Sequence, residues 1–161
     1  MVKSPIPGHA GNETAGVITP PPLIYLAGLG LGMLLERWWP LPFLPVGAQR
    51  PLAAVLFLAG LVLIPALRAM DRVGTRPEPW KPSRALVTDG PYRFTRNPMY
   101  LGFTFVYLAA TAMANSGWSL AMLPAVLLVM LYGVILREER YMEARFGEAY
   151  QAYRLKVRRW L

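Results

Sequence analysis

Between Gly90 and Gly102 the sequence reads GPYRFTRNPMYLG, and from Asn97 to Leu136 forty consecutive residues carry no charge. The next four residues, Arg137 to Arg140, are REER. Pro91 and Pro98 keep the residues before them out of the α region, so the backbone between them is irregular and its N–H and C=O groups need partners. Backbone of that kind is tolerated at membrane depth where protein covers it or where it lines a polar cavity. The segment therefore reads either as a proline-rich connector with interfacial Tyr and Arg anchors or as a loop that grips a polar cofactor. Arg93 and Arg96 have the forked donors that hold a carboxylate or phosphate, and they serve equally as topology signals. Glu138 and Glu139 stand at the C-terminal end of an apolar helix, where the macrodipole disfavours a carboxylate by about 0.3–1 kcal/mol. An arginine such as Arg137, Arg140 or one from the other loop, or a ligand, should offset that. Helical spacing puts Glu138 on a face with Arg145, and Glu139 with Glu143 and Phe146, so the two glutamates are expected to have different jobs. The Tyr150 and Tyr153 stripe reads as packing.

A span needs about twenty residues, so an uncharged run of forty predicts two spans. The turn signal is NSGW, Asn115 to Trp118. Met99 to Ala114 and Ser119 to Leu136 then form a helical hairpin that brings the 90–100 loop and the glutamate pair together. Two more spans precede it: Leu23 to Trp39, stopped by Pro40, Pro42 and Pro45, and Pro51 to Leu67, with Pro65 kinking its last turn. Glu36 and Arg37 sit beside Trp38 and Trp39, where charges snorkel to the interface. After Leu136, Tyr141, Met142, Phe146, Tyr150, Tyr153 and Val157 recur at helical intervals. They predict an amphipathic helix on the membrane surface, interrupted near Gly147. The expectation is an all-α polytopic membrane protein with four transmembrane helices and a C-terminal amphipathic cytoplasmic helix. Residues 1–20 form a flexible leader without a cleavage pattern, and 21–161 form a single domain whose cofactor-binding part is 74–161.

Composition agrees with a membrane setting. Charged residues make up 16% of the chain, against roughly 25% in an ordinary globular protein. There is no cysteine and the one histidine, His9, lies in the leader, so thiolate and imidazole metal sites are not expected and the metal assignment is none. The net charge of +8 is not spread as on a nucleic-acid surface: seven of the 17 Lys and Arg lie between Arg68 and Arg96 and seven between Arg137 and Arg159. Clusters that flank spans mark cytoplasmic segments and face anionic headgroups. Both termini are accordingly expected in the cytoplasm, in an inner or plasma membrane, with no nucleic-acid partner.

The run LVTDGPYRFTRNPMYLG, Leu86 to Gly102, followed by a hydrophobic hairpin and EERYMEARFGEAYQAY, Glu138 to Tyr153, resembles the isoprenylcysteine carboxyl methyltransferase family and the related membrane phospholipid methyltransferases. The resemblance covers roughly residues 74 to 161. It implies S-adenosylmethionine as cofactor, bound on the cytoplasmic side by Leu86, Val87, Gly90, Tyr92, Asn97, Pro98 and Tyr100, with the Glu138–Glu139 pair closing the pocket. It also implies that Arg145 acts beside the second glutamate at the methyl acceptor. The eukaryotic-type motif has His where this chain has Asn97, which cannot titrate, so the expected base is a carboxylate, Glu139. The acceptor implied is a lipophilic molecule: an isoprenylcysteine-like carboxylate, the amine of a phospholipid or a small thiol, with a slight lean away from the amine. A membrane sterol or enone reductase using NADPH, and a non-enzymatic scaffold or small transporter, are the competing readings.

Overall fold

The computed structural model describes residues 14–75 and 81–160. Most of the expected leader, residues 1–13 with His9, lies outside them. Among the described residues the secondary structure is helical, apart from an isolated bridge between Thr95 and Arg158.

Helix α1, Pro21–Trp38, starts on two prolines whose missing N–H groups cost nothing in a first turn. The second apolar stretch is two helices, α2 (Gln49–Gly60) and α3 (Leu63–Arg72). Pro65 explains the break: it cannot donate to the Leu61 carbonyl, and the chain tightens into three-residue bonds, Val62 N to Ala59 O and Ile64 N to Leu61 O. Proline acts here one turn upstream of the expected kink. Together these two helices still make an apolar run of 24 residues, Gln49–Arg72, long enough to cross a membrane.

Helix α4, Pro98–Ala114, opens on Pro98 and closes on Asn115, whose φ of 50° gives the left-handed turn. Ser116 then caps α5, Gly117–Met130, its Oγ accepting from Ser119 N at 3.1 Å. The hairpin turn thus falls where the sequence signals it. Glu36 does not snorkel freely: its carboxylate accepts from Ser116 Oγ at 3.0 Å and from the Leu41 amide, so it staples α1 to this turn. Asn115 completes the staple, its Oδ1 accepting from Leu44 N at 2.8 Å and its Nδ2 donating to Leu44 O at 3.2 Å. Gly32 lets α1 and α5 meet backbone to backbone, since a Cβ there would lie 2.4 Å from Ser119 Cα.

Below α5 the helix widens into a π turn, Leu131–Ile135, before α6, Leu136–Phe146. Gly117–Phe146 is therefore a continuous helical run of 30 residues, the second one long and apolar enough to span a bilayer. Only a third of its most apolar window is buried. Large side chains such as Leu26, Leu58 and Leu128 stay more than half exposed, as suits a surface that faces hydrocarbon.

Residues 14–20 lie along the π turn: Ile18 N donates to Gly133 O at 3.2 Å, and Arg137 Nη1 donates to Gly16 O at 2.8 Å. The tail breaks at Gly147, where φ is 52° and ψ −127°, a conformation suited to glycine. It continues as α7, Glu148–Lys156, and then doubles back, so that Arg96 N donates to Arg158 O at 2.9 Å. The tail is thus two short helices and an extended return.

Candidate functional site

The hairpin sets Tyr100, in the first turn of α4, against Glu138, in the first turn of α6: the phenol donates to the carboxylate at 2.6 Å. Around this contact opens a cavity of about 860 Å³, mouth included. Its floor is the 90–100 loop. Gly90, with φ of 61°, turns the chain into a 3₁₀ helix over Gly90–Arg93, which buries Tyr92. The loop's irregular backbone is partnered as that geometry requires. Thr95 Oγ1 accepts from Asn97 N at 3.2 Å and donates to Arg159 O at 3.1 Å, and Arg158 O takes the Arg96 amide.

Of the residues singled out in the sequence, Leu86, Val87, Tyr92, Asn97, Pro98, Tyr100, Glu138 and Glu139 line this cavity. Gly90 does not line it; it shapes the turn that presents Tyr92. Arg145 is not brought to Glu139. Its Nε donates to Ser83 O, and its guanidinium lies 5.9 Å from the Tyr141 ring centroid, at the rim. The break at Gly147 and the return of the tail give Glu139 another partner. Arg159 Nε and Nη2 reach the two Glu139 oxygens at 2.9 and 2.8 Å, and Arg96 Nη2 adds an ion pair at 3.2 Å. The offset expected for the acidic pair therefore comes from a loop arginine and from the tail.

Residue 159 was not visible in the sequence as a site residue. It lies 20 positions beyond Glu139, outside the helical spacing that linked the other tail residues. Its main chain also matters, since Asn97 Nδ2 donates to Arg159 O at 2.9 Å. Met70 and Met142 line the cavity as well, as do Tyr150 and Tyr153. The two tyrosines pack together, ring centroids 6.2 Å apart, and Tyr153 also donates to Tyr92 O at 2.7 Å. They are packing and wall at once.

The electrostatics keep the donors protonated. Burial pushes the Tyr92 phenol well up, with the Tyr153 phenol and Glu138 adding to it. Tyr153 is pushed up by burial too, with a contribution from Tyr150. The Arg159 guanidinium is raised chiefly by its hydrogen bond to Glu139. Among the described residues there is no cluster of three or more His, Cys, Asp or Glu suited to a metal ion. The arrangement is a mixed cavity, with apolar and aromatic walls and a few convergent polar groups, of the kind that binds a small organic molecule.

Comparison with known proteins fits that character. Residues 49–149 match the family model described as phospholipid methyltransferase. The chain is 37% identical over 73 residues to a protein-S-isoprenylcysteine O-methyltransferase of Schizosaccharomyces pombe, an alignment covering 45% of this chain and 30% of that protein. It is 42% identical over 65 residues to an uncharacterised protein of Haemophilus influenzae, covering 39% of this chain and 100% of the relative. The alignment thus spans under a third of the yeast enzyme. No solved structure matches.

Proposed function

We propose, from the premise that the chain belongs to the phospholipid methyltransferase family, that it transfers a methyl group from S-adenosylmethionine to a lipophilic acceptor at the membrane face. The observation that carries this reading is the Tyr100–Glu138 hydrogen bond, which joins the two ends of the hairpin inside a cavity with apolar, aromatic and polar walls. The residues suit the cofactor. Leu86, Val87 and Met142 offer apolar wall, while Tyr92, Asn97 and Glu138 offer polar groups. When bound, S-adenosylmethionine supplies an electrophilic methyl carbon on a sulfonium. The protein's part is to hold the acceptor in line with that carbon and to keep water out; positioning of this kind is worth several kcal/mol.

In this reading four helical spans cross the bilayer, the two-part tail lies at its cytoplasmic surface, and both termini share that side, as the arginine clusters favour. Residues 21–161 act as one domain, and 74–161 carry the cofactor. Glu138 faces the cofactor under the hold of Tyr100. Glu139 is the carboxylate that would serve a protonated acceptor, and Arg145 at the rim is assigned to the acceptor side. Arg159 already donates to both Glu139 oxygens, and Arg96 adds an ion pair to one of them. That arrangement suits holding charge better than moving protons, and it favours an acceptor that arrives as an anion and needs no base.

Calorimetric titration of the detergent-solubilised protein with adenosylhomocysteine, and separately with NADPH, tests the reading. The expected result is saturable binding of the first and none of the second. Binding of NADPH alone, or of neither, overturns it.

A further inference from the structure

Arg96 is nine-tenths buried, with its side chain 10% exposed, and it lines the cavity. Its Nη2 is engaged with Glu139, but its Nε and Nη1 are buried with no hydrogen-bond partner among the described residues. The Tyr150 phenol lies within hydrogen-bonding range of the Arg96 guanidinium and feels its charge, but no contact to Nε or Nη1 has the geometry of a hydrogen bond. A buried donor without an acceptor is costly, and more so on a charged group. Charge points the same way. Glu139 faces two guanidiniums, Arg96 and Arg159, so its one negative charge is shared between two cations. Arginine is weakly hydrated and suited to carboxylate and phosphate oxygens.

We propose that Arg96 is an anion-binding residue of the cavity, its unpaired nitrogens receiving a carboxylate oxygen of the bound molecule. This rests on the reading of the cavity as a methyltransferase site. There a carboxylate has two sources: the amino-acid end of the cofactor, or the acceptor itself. Arg96 differs from Arg159 in this respect, because Arg159 already spends its fork on Glu139 and Arg96 does not.

Two pairs of probes separate the sources, each titrated into the full chain in detergent micelles. The first pair is adenosylhomocysteine and its analogue lacking the α-carboxylate. The second is N-acetyl-S-farnesylcysteine and its carboxamide, with adenosylhomocysteine present. The wild-type protein should prefer the carboxylate member of one pair by about tenfold to a hundredfold. Arg96→Gln should erase that preference, so that the two members of the pair bind alike. The pair that responds names the source. Arg96→Lys keeps a cation against Glu139 while removing Nε and Nη1, so it reads the same loss in a protein whose Glu139 stays paired. A wild type that binds adenosylhomocysteine but shows no carboxylate preference in either pair refutes the assignment, as does a preference that survives both substitutions. Failure of the wild type to bind adenosylhomocysteine at all strikes the methyltransferase reading instead.

Discussion

Arg159 grips Glu139 by both carboxylate oxygens, Nε to one at 2.9 Å and Nη2 to the other at 2.8 Å, while its own carbonyl receives Asn97 Nδ2. One residue of the returning tail therefore fixes a side chain from each end of the hairpin. Arg159→Ala should lower methyl transfer by about tenfold to a hundredfold, the worth of charge-assisted hydrogen bonds at roughly 1.5–3 kcal/mol. Arg159→Lys, which keeps the cation but loses the fork, should fall between. Initial rates with radiolabelled methyl donor, normalised to folded protein, make the comparison; an Ala variant as active as wild type would remove the tail from the site.

Tyr100→Phe deletes the phenol that donates to Glu138 at 2.6 Å. The carboxylate is then left in the cavity wall without that donor, at a cost of about 1–3 kcal/mol. Adenosylhomocysteine affinity should drop about tenfold or more, with the melting temperature lowered as well. Calorimetry and a thermal melt read the two effects separately.

The turn of the hairpin is expected to matter for stability and not for chemistry. Ser116→Ala removes both the cap of α5 and the donor to Glu36, which should cost about 0.5–2 kcal/mol. Denaturation of the micellar protein should show the loss, while turnover per folded molecule stays unchanged. A selective loss of turnover would contradict the separation of turn from site.

Gly147→Ala places a side chain at φ 52°, ψ −127°, a strain of about 1–3 kcal/mol. The bend between α6 and α7 is what sends the tail back to the 95–97 loop. The variant should therefore lose affinity for adenosylhomocysteine as well as stability, and protease cleavage near residue 147 should quicken.

Local chemistry made part of this architecture legible in the sequence. Pro98, Asn115, Ser116 and Gly147 each act on the chain within a few residues, and each does so where it stands in the sequence. The meeting of Tyr100 with Glu138 followed from a hairpin of two nearly equal arms. What the sequence hid depends on distant partners. Glu36 looked like an interfacial charge because its acceptor role needs Ser116, 80 residues away. Arg145 shares a helical face with Glu138, yet its guanidinium is held at the rim by Ser83, 62 residues away in the chain. Arg159 became a site residue through a reversal of direction that no periodicity records.

The π turn at Leu131–Ile135 carries a consequence of its own. An extra residue in a helical turn rotates everything beyond it by about 100° relative to a regular helix. Wind the same residues as a regular helix with none removed, and the acidic pair swings out of register with the phenol and guanidiniums that await it, although every side chain is still present. The widened turn works as a phase shifter, and aligning this stretch to a regular helix without a gap would aim both carboxylates in the wrong direction.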